Sequence, residues 1–140
     1  MQFVQGRCHC GNISLRVGLA RPLQSYGPRV CDCDFCRLHG AAYVSDPEGS
    51  LEIRIADPGL VEHYRQGSQT AEFLICQRCG VYVCALYRTA AQVLGVVNIR
   101  ILDPAVVFGS AQSISPKTLS ANDKIVRWRT LWFPVLELAH

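Results

Sequence analysis

Seven of the eight cysteines in this chain fall into three short clusters, and no other feature limits its fold as much. Cys8-His9-Cys10-Gly11 comes first, Cys31-Asp32-Cys33-Asp34-Phe35-Cys36 second and Cys76-Gln77-Arg78-Cys79-Gly80 third, with Cys84 a little beyond. A C-x-x-C-G segment is a tight turn that aims both sulfurs at one point, and its glycine permits the positive φ that closes the turn. A C-x-C-G segment makes a similar, narrower bite. Two such bites complete a tetrahedron of sulfur, the closed form of structural zinc. Pairing the first cluster with the third would staple residue 8 to residue 79, and folding should then depend on the metal.

The middle cluster has a different character. Three sulfurs within six residues can reach one metal, and three protein ligands with one open position is the arrangement of catalytic zinc. Water, a substrate thiol or a fourth protein group could fill that position, and Cys84 and His39 are the candidates on the chain. Cys84 sits in Val81-Tyr82-Val83-Cys84-Ala85-Leu86-Tyr87, a buried-strand pattern that reads as an inert core thiol. His39 reads as a surface histidine, and His9, between two ligands, as pointing to solvent. His63 and His140 show no partner in the sequence. Spacing alone also permits Cys8, Cys10, Cys31 and Cys33 against Cys36, Cys76, Cys79 and Cys84. That partition gives two closed sites, but it divides Cys33 from Cys36.

Composition separates metal from disulfide. The chain starts without a charged-then-apolar leader, and no apolar run reaches the roughly 18 residues of a membrane span. A cytoplasmic protein is expected, where thiols stay reduced and clustered cysteines bind metal. Cys8–Cys10 and Cys31–Cys33 are also too close in sequence to pair comfortably. With 140 residues, 49% of them hydrophobic and 18% charged, a single domain over 1–140 is expected. A net charge of +3, from scattered basic residues, is too mild to argue for nucleic acid as a partner, and none is expected. The one locally basic stretch, with Lys117, Lys124, Arg127 and Arg129, reads as a solvated face. Nothing in the sequence fixes the oligomeric state.

The rest of the pattern is β. Ile13, Leu15 and Val17 alternate with Ser14 and Arg16, and Leu51, Ile53 and Ile55 alternate with Glu52 and Arg54, as in half-buried strands. Further strands are expected over 61–65, 71–76, 81–87 and 94–102, with short helical turns over 36–41 and 103–108. The segment 111–123 reads as loop. Residues 125–138 read as a last strand or packed extension, with Pro134 against a central place in a sheet.

The order C-x-C-G, C-x-C-x-x-C-R-x-x-G, C-x-x-C-G resembles that of the glutathione-dependent formaldehyde-activating enzymes, a family that includes relatives of centromere protein V. The likeness runs from Gly6 to Pro104 and takes in Phe73 to Gly80 and Val97-Asn98-Ile99-Arg100-Ile101-Leu102-Asp103. It implies a mainly β fold, the Mss4-like β-tent of small antiparallel sheets stapled by zinc. It implies structural zinc on Cys8, Cys10, Cys76 and Cys79, and catalytic zinc on Cys31, Cys33 and Cys36, the second being the easier to empty. The activity implied is carbon–sulfur lyase chemistry on a small thiol adduct, with glutathione as the small thiol and formaldehyde as the carbonyl. Arg37, beside Cys36, is the cation expected to offset the charge of the site and steady an alkoxide. Asp34 stands where many relatives have Ser, and Pro116-Lys117-Thr118-Leu119 lacks a His that relatives often carry. The alternative function is a non-catalytic zinc module for protein interaction, favoured by a site closed with Cys84 or by an exposed apolar patch around Trp128 and Trp132.

Overall fold

The alternating segments pair as their patterns require. In the computed structural model, which describes residues 1–139, β1 (Gln2–Arg7) and β2 (Ile13–Leu19) form an antiparallel hairpin. His140 lies outside the described residues. β5 (Ser50–Ile55) adds antiparallel to β2, so Ile13, Leu15, Val17, Leu51 and Ile53 line one buried face. Arg16 and Glu52 meet on the other face, 3.7 Å apart and largely solvated, an ion pair worth little.

The second half of the fold is a meander of β6 (Val61–Tyr64), β7 (Glu72–Cys76), β8 (Tyr82–Arg88) and β9 (Val93–Asn98). β4 (Ala42–Val44) pairs with β9, β3 (Arg29–Cys31) with β4, and β10 (Gln112–Ile114) runs parallel to β3. The 94–102 segment leaves the sheet early, at Asn98. That buried side chain donates to the Tyr82 carbonyl at 3.0 Å and accepts from the Arg100 N–H at 3.2 Å, turning 99–101 into a single 3-10 turn. Asp103 organises only a turn after it, accepting from the Ala105 and Val106 N–H groups, and no helix forms over 103–108.

The largest departures lie in the last thirty residues. The segment read as loop contains β10, a 3-10 turn at Pro116–Thr118 and the start of α2 (Ala121–Leu131). Ser120 caps α2 by accepting from the Asp123 N–H at 3.1 Å. β11 (Phe133–Ala139) follows and lies centrally, joining the two halves into one mainly β, mixed sheet. Pro134 is tolerated because β11 changes partner beside it. Phe133 and Pro134 pair antiparallel with β9, and Val135 onward pairs parallel with β5. A proline at that switch removes one donor where the ladder is already interrupted.

Candidate metal centres

Two hairpin turns build the four-cysteine cluster. Cys8 and Cys10 lie in the β1–β2 turn, while Cys76 ends β7 and Cys79 sits in the turn to β8. Gly11 and Gly80 take positive φ, 84° and 79°, where a Cβ would be strained. All four sulfurs lie within 4.8 Å of one another. Cys8 to Cys10 measures 3.8 Å and Cys10 to Cys76 3.6 Å. A tetrahedron with metal–sulfur bonds of ~2.3 Å has edges of about 3.8 Å, so the donor set fits a metal ion of zinc's size. Main-chain donors prepare the site for thiolates. The Ile13 N–H points at Cys8 Sγ from 3.3 Å. Burial pushes the Cys8 thiol up to about 11. At Cys79 burial also acts upward, but the Cys10 and Val81 N–H groups and the Cys76 and Cys8 thiols outweigh it, bringing it down to about 6.

Cys31, Cys33 and Cys36 form the second cluster, again within 4.8 Å of one another. β3 ends at Cys31, Cys33 caps α1 (Asp34–His39), and Cys36 is the buried residue of that helix. Cys33 Sγ accepts from the Cys36 N–H at 3.4 Å. The Cys31 and Cys36 thiols hold Cys33 down to about 2, while their hydrogen bonds to it push their own protons to higher pH. Three thiols this close compete for their protons, and the cluster could hold a metal ion in the protons' place. Phe35 seats α1 on the sheet, its ring 4.8 Å from Phe73 and 4.9 Å from Tyr82.

No fourth sulfur or imidazole joins this cluster among the described residues. Cys84 is wholly buried in the hydrophobic core, and burial raises its thiol. His39 is exposed and lies against Phe35, with ring centroids 4.5 Å apart. His9 is also exposed. His63 does gain a neighbour, Glu72 at 3.9 Å. Asp34 occupies the first turn of α1, exposed. Asp32 turns to the Ser115 hydroxyl and to Lys117 at 3.8 Å.

The three sulfurs border a cavity of about 370 Å³, whereas none of the four-cysteine cluster does. Tyr43 stands behind them, its hydroxyl 2.9 Å from Cys36 Sγ and 2.9 Å from the buried Tyr82 hydroxyl. With Cys36 as a metal-bound thiolate, Tyr43 is the donor. Tyr43→Phe should keep the fold and weaken metal binding about 10- to 100-fold, as loss of a ligand's supporting hydrogen bond does elsewhere. Competition against a chelator measures this.

Arg37 is displaced from its expected place. It is exposed and does not border the cavity, because the residue after buried Cys36 is turned about 100° around the helix. The cations that do border the cavity are Arg29, Lys117, Lys124 and Arg127. Three of these belong to the stretch read as a solvated face, which α2 and the turn before it instead fold over the cavity. Trp128 and Trp132 are buried and stacked at 4.7 Å, forming wall rather than an exposed patch. The sequence carried one usable signal for this set: Arg29 lies two residues before Cys31 in a strand, hence on the same face. Tyr43 and Arg127 had none.

A family model, "Glutathione-dependent formaldehyde-activating enzyme", matches residues 3–118. The chain belongs to that family. No curated protein matches it. Among solved structures it resembles a Rhodobacter sphaeroides protein determined by structural genomics, 29% identical, with a TM-score of 0.51 over 72% of this chain and 89% of that one. The match ends at Thr118, so the family pattern covers both cysteine clusters, while α2 and β11 lie beyond it. No described helix is long and apolar enough to cross a membrane.

Proposed function

We propose that this formaldehyde-activating enzyme relative is a zinc-dependent carbon–sulfur lyase acting on a small thiol adduct, with glutathione or a related thiol as the partner. The supporting observation is the contrast between the clusters: four sulfurs closed on themselves, three sulfurs facing a cavity. In this reading Cys8, Cys10, Cys76 and Cys79 hold a structural zinc, and Cys31, Cys33 and Cys36 a second zinc with an open position. A zinc ion there supplies Lewis acidity and keeps an added thiol deprotonated.

The chain's own groups do the rest. The cavity holds thiol and aldehyde together beside the three sulfurs. A sulfur–carbon bond forms, the carbonyl π pair moves to oxygen, and the proton given up by the thiol ends on that oxygen; cleavage is the reverse. Tyr43 Oη, backed by Tyr82 Oη, donates to Cys36 and holds that sulfur at the cavity wall. Arg37, exposed and off the cavity, takes no part in this reading. A reduced, cytoplasmic setting suits this chemistry. The interaction-module alternative lacks both features that would favour it, since Cys84 closes no site and the tryptophans are buried.

Native mass spectrometry of the reduced protein tests the proposal. Two zinc ions and a glutathione adduct are expected, and Cys33→Ala should lose one zinc and the adduct while staying folded. Two zinc ions with no adduct from any small thiol would overturn it.

A further inference from the structure

The cavity wall holds an excess of positive charge that the metal cluster does not explain. Arg29 and Arg127 both border it, and so does Lys124. None of these three forms an ion pair among the described residues. Lys117 differs, being held by Asp32. No carboxylate borders the cavity at all. Arg29 projects from β3 on the face that carries Cys31, and the Ser45 hydroxyl fixes its guanidinium at 2.6 Å. Arg127 comes from α2, one turn beyond Lys124 and next to the buried Trp128. The two guanidinium groups thus border one cavity, from β3 and from α2.

Two like charges brought together in a half-buried cavity, without an acid, are destabilised until an anion arrives. We propose that Arg29 and Arg127 form a carboxylate anchor, so that the thiol taken by the three-cysteine site is a thiol acid and cationic thiols are rejected. The naming of a thiol rests on the function proposed above; the anchor itself does not.

Charge balance favours a single carboxylate. Zinc with three thiolates carries one negative charge, and a bound substrate thiolate makes two. Against the three unpaired cations this leaves one positive charge, which one carboxylate neutralises and a phosphate dianion exceeds. The remaining wall, with Trp128, Trp132, Phe73 and Leu119, is apolar and suits a short carbon chain between the two ends. No acid is present on the wall to receive an ammonium group.

Calorimetric titration of the zinc-loaded protein with 3-mercaptopropionate, 2-mercaptoethanol, cysteamine and propionate tests the anchor. The thiol acid should bind about tenfold tighter than 2-mercaptoethanol, the yield of one charge-assisted hydrogen bond, and cysteamine should bind weakest. Arg127→Gln should erase that advantage and leave 2-mercaptoethanol within about twofold, while Arg127→Lys restores part of it. Unchanged zinc content and circular dichroism show that the variants fold. If all three thiols bind equally and Arg127→Gln changes nothing, the anchor is overturned and the thiol site stands. If no thiol binds but propionate binds in an Arg127-dependent way, the anchor stands and the proposed lyase function falls. If nothing binds, both fall.

Discussion

Cys76→Ser is expected to yield a chain with no metal in its four-cysteine cluster and no cooperative unfolding transition. The staple joins residues 8 and 10 to residues 76 and 79, across the two halves that β11 also connects. Structural zinc sites supply apparent free energies of about 10–16 kcal/mol. A domain is stable by only about 5–15 kcal/mol. Losing one of four thiolates therefore removes an amount comparable with the whole stability. Cys76 is itself fully buried and ends β7, so serine would also place a hydroxyl where a thiolate belongs. Cys84→Ala makes the contrast. That thiol is just as buried but lies in the core away from both clusters, so its loss should cost on the order of 1 kcal/mol and no metal. Metal analysis with thermal melts followed by circular dichroism reads both. A Cys76→Ser protein that melts like the wild type would show that the cluster does not hold the fold together.

The two cysteine clusters were legible in the sequence because their geometry is local. Cys76, Cys79 and Gly80 specify a turn by themselves, and so do Cys8, Cys10 and Gly11. Bringing the two turns together needed no knowledge of the route between them. Strands with one solvated face, such as 13–19 and 50–55, were legible for a related reason, because alternation at period two reports which face is buried. β3, β4 and β10 are three residues each, too short for a period to show. β11 was hidden by Pro134, whose usual exclusion from central strands fails where a strand exchanges one neighbour for another. The cavity was the least visible part. Arg29 from β3, Tyr43 from β4, and Lys124 and Arg127 from α2 converge only once α2 reaches the cavity. Arg37 was chosen because it is next to Cys36 in sequence, and a helix turns such a neighbour away. Lys124 and Arg127 looked like solvated charge because helix α2 buries only Trp128, which leaves little apolar stripe to mark its inner side.

Phe133→Ala should lower stability by about 3–5 kcal/mol, the cost of emptying a large aromatic site in a packed core. Phe133 is fully buried at the point where β11 passes from β9 to β5, and a Cβ on Gly49 would stand only 3.0 Å from its ring. The ring thus fills the seam between the two halves of the sheet, and little room exists for neighbours to collapse into its place. For a domain this size the melting temperature should fall by roughly 10–20 °C. Phe133→Leu, which keeps most of the volume, should lose much less. The effect should reach the cavity through the chain itself. α2 ends only two residues before Phe133, and the Trp132 N–H donates to the Trp128 carbonyl at 2.8 Å. Releasing Phe133 therefore loosens the end of the helix that carries Arg127 and Trp128, while the hairpin turns of the four-cysteine cluster are untouched. At a temperature where Phe133→Ala remains folded, its structural metal should stay bound and its affinity for 3-mercaptopropionate should fall several-fold. Wild-type affinity in that variant would mean that the stacked tryptophans, with no help from β11, hold α2 over the three sulfurs.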